Sequence, residues 1–127
     1  MTISFHDGVI NGYSVNFLEN VLLLDIQTVV DETLTVTFQT YLAHNFNYVM
    51  AGSIIFDIEA VELKSFFIEN SEQFETYKLY AWPIWDYKEI NELEHYLQEN
   101  NYTCYVISAS LGLTGYVFAK SLTIKVK

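Results

Sequence analysis

Residues Glu19 to Leu42 read ENVLLLDIQTVVDETLTVTFQTYL, and the order of side chains in this stretch decides the fold. On the first arm Leu22, Leu24 and Ile26 alternate with Asp25 and Gln27. On the second, Leu34, Val36 and Phe38 alternate with Thr35, Thr37 and Gln39. A period of two belongs to a strand with one face in a core and one in water. Asp31-Glu32-Thr33 separates the arms, so the stretch predicts a long β-hairpin with its turn there.

Outward from the hairpin, the N-terminal part predicts a short strand over Thr2–His6, ended by the turn signal Asp7-Gly8. A second strand follows over Val9-Ile10 and Tyr13–Phe17, with a turn or bulge at Asn11-Gly12. Glu19-Asn20 then turns into the hairpin. Short connections favour neighbours, so these strands form an antiparallel meander.

Beyond Leu42 the alternation stops. Ala43–Ala51 has no clear period and reads as either a short helix or an irregular crossing. Ser53–Glu59 returns to alternation, with Ile54, Phe56 and Ile58 on one face and Asp57 and Glu59 on the other. Over Val61–Phe74 the period changes: Leu63, Phe66, Phe67 and Phe74 share one face of a helix that Asn70-Ser71 could interrupt. Thr76–Ala81 is short, aromatic and compatible with a strand. Asp86 and Glu89 have capping-box spacing and predict a helix from Asp86, with Tyr87, Ile90, Leu93 and Leu97 inward and Asn100-Asn101 at its end. Tyr102–Ser110 and Tyr116–Val126 form a C-terminal hairpin through Leu111–Gly115. The first of these strands is apolar on both faces, as expected of one covered on both sides. The expectation is therefore α+β: an antiparallel sheet of about six or seven strands with two helices on one face. The 127 residues form a single domain, 1–127, with no repeat or linker.

Sixteen acidic residues against six basic ones give a formal net charge of −10. That balance argues against nucleic acid, whose phosphates call for Lys and Arg, and against anionic membranes. A basic protein partner is the electrostatic complement. No apolar run approaches the length of a membrane helix and no signal-peptide pattern is present, so a cytoplasmic protein is expected. Cys104, the single cysteine, lies in an apolar run and reads as a small core residue.

Chemistry finds little support. His6, His44 and His95 fall on three different elements and no cofactor motif is present, so neither a metal nor a cofactor is expected. Asp57 and Glu59, with Glu62 following, are the only carboxylates spaced for a cation or for acid–base work. Gly112-x-x-Gly115 lacks the rest of a phosphate loop, and Ser108 and Ser110 lack a nucleophile elbow. Tyr77, Tyr80, Trp82, Trp85 and Tyr87 crowd into eleven residues. Such a run either closes one end of the core or makes a sugar platform, a ligand pocket or the anchor of a protein interface.

Three blocks carry a resemblance: Phe5-His6-Asp7-Gly8-x-Ile10-x-Gly12, then Ile54-Ile55-Phe56-Asp57-Ile58-Glu59, then Ser108-x-Ser110-x-Gly112-x-x-Gly115. Together they make the chain resemble small bacterial immunity-type proteins of polymorphic toxin systems. The blocks are turns and strands and mark no catalytic residue. The resemblance implies an acidic, cytoplasmic, non-enzymatic protein that binds and neutralises a toxin domain, frequently a basic nuclease. Candidate partner-binding residues are Glu69, Glu72, Glu75, Glu89 and Glu92 for steering, with Trp82 and Trp85 as anchor. The competing reading is a small-molecule-binding domain or enzyme with a pocket between sheet and helices, using Asp57, Glu59 and His44.

Overall fold

The computed structural model describes residues 5–127. The strand expected over Thr2–His6 falls, up to residue 4, outside the described residues. Phe5 leads into a turn in which the Gly8 amide bonds the Phe5 carbonyl and Asp7 takes a positive φ of 63°.

The fold is α+β, with one antiparallel sheet of eight strands. In chain order these are β1 (Val9–Asn16), β2 (Val21–Gln27), β3 (Thr33–Gln39), β4 (Ala43–Asn47), β5 (Ile54–Val61), β6 (Thr103–Leu111), β7 (Thr114–Ala119) and β8 (Ser121–Val126). Three short helices, α1 (Leu63–Glu69), α2 (Ser71–Tyr77) and α3 (Ile90–Glu99), lie between β5 and β6, with a 3₁₀ turn over Lys78–Tyr80.

The hairpin is β2–β3, and its register pairs Leu22 with Phe38, Leu24 with Val36 and Ile26 with Leu34, all fully buried. Its loop begins earlier than the expected Asp31-Glu32-Thr33. The Thr28 amide bonds the Glu32 carbonyl, the Glu32 amide bonds Thr28 Oγ1, and Thr33 already belongs to β3. In β1 the register shifts between Ile10 and Gly12, the expected bulge.

The strand order is β4-β7-β6-β5-β1-β2-β3-β8. Its two ends are continuations of strands in its interior: β3 runs on into β4 through Thr40 (φ 52°), and β7 runs on into β8 through Lys120. The Leu42 amide bonds the Phe118 carbonyl and the Lys120 amide bonds the Gln39 carbonyl, so the two bent strands stay together across the corner. One half of the sheet thereby folds over the other, as strands that switch sheets at a corner allow. The enclosed core draws Ile10, Leu22, Leu24, Ile26, Val36 and Phe38 from the meander and Ile55, Tyr105, Ile107, Val117 and Ala119 from the other half.

All three helices cover the outer face of β4, β7 and β6. Leu63, Phe66, Phe67, Phe74, Leu93 and Leu97 close over Ala43, Cys104 and Phe118. The ring centroids of Phe66 and Tyr116 lie 4.8 Å apart, and those of Phe67 and Phe74 lie 4.9 Å apart. Cys104 is fully buried in this layer and burial pushes its thiol up to about 12. Gly115, inside β7 rather than in the hairpin turn, has a φ of 150° and lies against Asn45, where a Cβ would overlap the Asn45 carbonyl. The bare backbone lets β4 approach β7 at its last turnings.

Several expectations are corrected. Ala43–Asn47 is a strand, neither helix nor crossing loop, because pairing with β7 supplies its backbone partners. Thr76–Ala81 is the end of α2 and the 3₁₀ turn, not a strand. The helix read as one over Val61–Phe74 is two, with β5 reaching Val61. The break is at Asn70, whose side-chain and main-chain N–H groups both bond the Phe66 carbonyl, at 2.9 and 3.0 Å. The capping box at Asp86 does not form: Asp86 has a φ of 54° and α3 begins at Ile90, because Tyr87 is drawn inward before the helix starts. Register shifts around Ile55 rotate β5, so Ile55 is fully buried while Phe56, expected beside Ile54 and Ile58, is 55% exposed. Ile55→Ala is thus expected to cost about 2–5 kcal/mol in urea unfolding and Phe56→Ala less than about 1 kcal/mol. Equal costs would contradict the rotated strand.

Candidate functional site

The segment from α2 to the start of α3 carries the densest group of candidate side chains. α2 is held by Phe74, fully buried, and the 3₁₀ turn ends at Ala81 with a left-handed φ of 52°. The chain then loops through residues 82–89 and is pinned twice. The Trp82 amide bonds the Tyr77 carbonyl at 3.3 Å, and the Tyr87 hydroxyl donates to the Trp82 carbonyl at 2.6 Å. Burial, aided by the Glu75 charge, pushes Tyr87 up to about 12, so this donor keeps its proton throughout the physiological range.

With the loop ends fixed, Trp85 stands outward, 86% exposed, beside Leu79 and Tyr80, also largely exposed. Lys78, Leu79, Ala81, Trp85, Asp86, Tyr87 and Lys88 line an open groove of about 590 Å³. Of the two lysines that line it, Lys78 has its ammonium on a carboxylate, and Lys88 meets one through its main-chain amide alone. Lys78 forms an ion pair with Glu75, which with the nearby Glu89 raises its pKa. Glu92 accepts a long 3.4 Å hydrogen bond from the Lys88 amide. The groove has an apolar floor with Lys78, Asp86 and Lys88 around it and Glu75, Glu89 and Glu92 beside them, the composition of an interface core within a polar, mixed-charge margin.

Of the residues expected to meet a partner, Trp85 lies in this groove, and Glu75, Glu89 and Glu92 stand at its edge through the contacts just given. Glu69 and Glu72 are exposed on α1 and α2 and are not among the groove's lining residues. Trp82 is only partly exposed and packs with Phe74 (6.0 Å), Tyr77 (5.1 Å) and Tyr116 (6.4 Å), so the two tryptophans do separate work. The five-aromatic run is accordingly split: Tyr77, Trp82 and Tyr87 join the helical core, while Tyr80 and Trp85 face out. Leu79 was not foreseen, because a strand reading of Thr76–Ala81 hides the turn that exposes it beside Tyr80.

A second hollow, about 420 Å³, lies where β4 meets the 3₁₀ turn and is lined by His44, Asn45, Tyr77, Tyr80 and Trp82. The Asn45 amide donates to the Tyr77 hydroxyl at 3.1 Å and to the Tyr116 hydroxyl at 3.5 Å. His44 sits among Tyr13, Tyr41 and Phe46, ring centroids 4.7–5.9 Å away, and its Nδ1 hydrogen-bonds the Tyr41 hydroxyl at 2.7 Å. Burial lowers its pKa.

His44, Asp57 and Glu59 do not converge. β4 and β5 are separated by β7 and β6, three strand spacings or roughly 14 Å. Asp57 accepts a hydrogen bond from the Ile58 amide, and Glu62 one from Ser65 Oγ. Among the described residues no three His, Cys, Asp or Glu side chains gather as a metal site would require, and no helix is long and apolar enough to cross a membrane. Comparison with protein-family models, curated proteins and solved structures finds no match.

The His44 environment sets a pH dependence. Its folded pKa lies below its unfolded one, so the unfolded chain takes up the proton first as pH falls. Its contribution to stability is complete above the unfolded value near 6.5 and is lost as pH drops through that value toward the folded one. Urea midpoints measured between pH 7.5 and 5 should therefore fall more steeply for the wild type than for His44→Gln. Parallel curves would show that His44 stays accessible to protons in the fold.

Proposed function

We propose that the protein is a non-enzymatic acidic binding protein of the immunity or inhibitor kind, neutralising a basic toxin domain through the groove around Trp85. The observation that carries this reading is the exposed Trp85, set with Leu79 in an open groove whose rim holds Glu75 and Glu89. A large aromatic left in water costs solubility, and a partner that covers it recovers the burial energy. A tryptophan at the centre of such a patch is the commonest anchor of an interface.

The charge supports the same reading. With a net charge of −10 and six lysines as the only basic residues, the molecule attracts a basic domain from a distance. Rim carboxylates then speed encounter, and the apolar floor determines how long the complex lasts. Of the two lysines lining the groove, Lys78 is neutralised by Glu75, and Lys88 is the one positive charge that a basic partner has to avoid.

The test is binding to the basic C-terminal domain of a toxin encoded in the neighbouring reading frame. Association should slow at least tenfold between about 20 and 300 mM salt while dissociation changes little. Trp85→Ala should speed dissociation by roughly thirtyfold with association almost unchanged. Glu89→Lys should do the reverse, slowing association. Association indifferent to salt, or a Trp85→Ala variant that binds like the wild type, would remove the reading.

A further inference from the structure

We infer that the hollow between β4 and the 3₁₀ turn is a binding site for an organic cation, an alkylammonium or methylated ammonium group held against the rings of Tyr77, Tyr80 and Trp82. This site shares no anchoring residue with the Trp85 groove, and the inference stands apart from the protein-partner reading.

Three observations lead to it. Two of the walls are rings set at an angle: Tyr77 and Trp82 form an edge-to-face pair, centroids 5.1 Å apart and planes inclined at 77°, a corner rather than a flat shelf. A corner of electron-rich rings suits a compact cation, which is attracted by each ring quadrupole at once. A sugar, by contrast, stacks on one flat face and needs several hydrogen-bonding groups around it. Here only His44 and Asn45 add polar groups beside the rings, and each is already partly engaged. Asn45 Nδ2 is taken by Tyr77 and Tyr116, and His44 Nδ1 by Tyr41.

The charge of the site points the same way. No Lys lines the hollow, and Lys78, next to Tyr77 in the chain, is bound to Glu75. The molecule around it carries a formal charge of −10, so an anion is repelled and a cation drawn in. The volume of about 420 Å³ exceeds what one ammonium headgroup fills, leaving room for the chain that carries it.

The same chemistry could arrive on a free quaternary amine or at the end of a lysine side chain. Trp85→Phe leaves Trp82 as the single tryptophan, a reporter inside the site. Its fluorescence should change saturably with choline or with the amide of Nα-acetyl-trimethyllysine, and not with 3,3-dimethylbutanol, the neutral isostere of choline, nor with sodium chloride at equal ionic strength. Tighter binding of choline assigns a free amine, and tighter binding of the lysine derivative assigns a polypeptide side chain. Tyr80→Leu, at an exposed position that folding does not need, should weaken the tighter of the two by roughly five- to tenfold. An equal response to dimethylbutanol, no saturable response to either cation, or saturation by methyl glucoside instead would overturn the inference. The readout at Trp82 needs no protein partner, so a failure here does not bear on the Trp85 groove, and a failure there does not bear on this site.

Discussion

The structure depends on the need to bury both faces of the β6–β7 pair. Alternation along Thr103–Leu111 and Thr114–Ala119 sends Tyr105, Ile107, Val117 and Ala119 to one side and Cys104, Phe118, Val106 and Tyr116 to the other. A two-sided apolar sheet is unstable until each side has a cover. The meander supplies one, folding over at the corner where Thr40 and Lys120 interrupt their strands. The helices supply the other. Each cover is too small to stand alone: the meander is a bare sheet with one apolar face, and α1 and α2 have seven residues each, too short to persist in water without tertiary contacts.

That division of labour explains where the surface chemistry collects. The helical layer fills its space with rings, Phe66, Phe67, Phe74 and Phe118 touching one another and Tyr116. Hollows therefore open at its margin, where the short 3₁₀ turn and the following loop bridge from α2 to α3. The margin is also where apolar side chains exceed what the core can take, so Leu79, Tyr80 and Trp85 remain outside.

How much of this the residues reveal in advance follows from the range of the interactions. The two arms of β2–β3 and their inward faces were legible because a period of two carries over both; the register was not, since a slip of two residues keeps the same faces and the loop lies at Thr28–Glu32. The two-sided character of β6 was legible for the same reason. β5 was legible as a strand but not in its facing, since its bulges change which side chains point inward without changing the alternation of residue types. β4 was not, since five mixed residues show no period and are strand only through β7. The helix start at Asp86 failed because a local capping preference worth about 1 kcal/mol lost to the burial of Tyr87 against Trp82 and its neighbours. At the candidate site, Trp85 and the carboxylates of α2 and α3 could be picked out from composition alone. The hollow at β4 could not: Asn45 and Tyr77 lie 32 residues apart and meet only through the fold.

The two hollows share a wall. Within Lys78–Tyr80, the side chains of Lys78 and Leu79 belong to the Trp85 groove and that of Tyr80 to the aromatic corner. Ala81, in its left-handed conformation, reverses the chain directly afterwards and holds this three-residue turn as a ridge between them. If both hollows were filled, their occupants would meet residues of this one turn. Linkage then demands symmetry: whatever factor a cation in the corner imposes on the affinity of the groove, a partner in the groove imposes on the affinity of the corner. The sign of that factor depends on the position of the turn that each occupant prefers, and the fold ties both to a single element anchored by Phe74 below and by the Trp82–Tyr77 hydrogen bond behind.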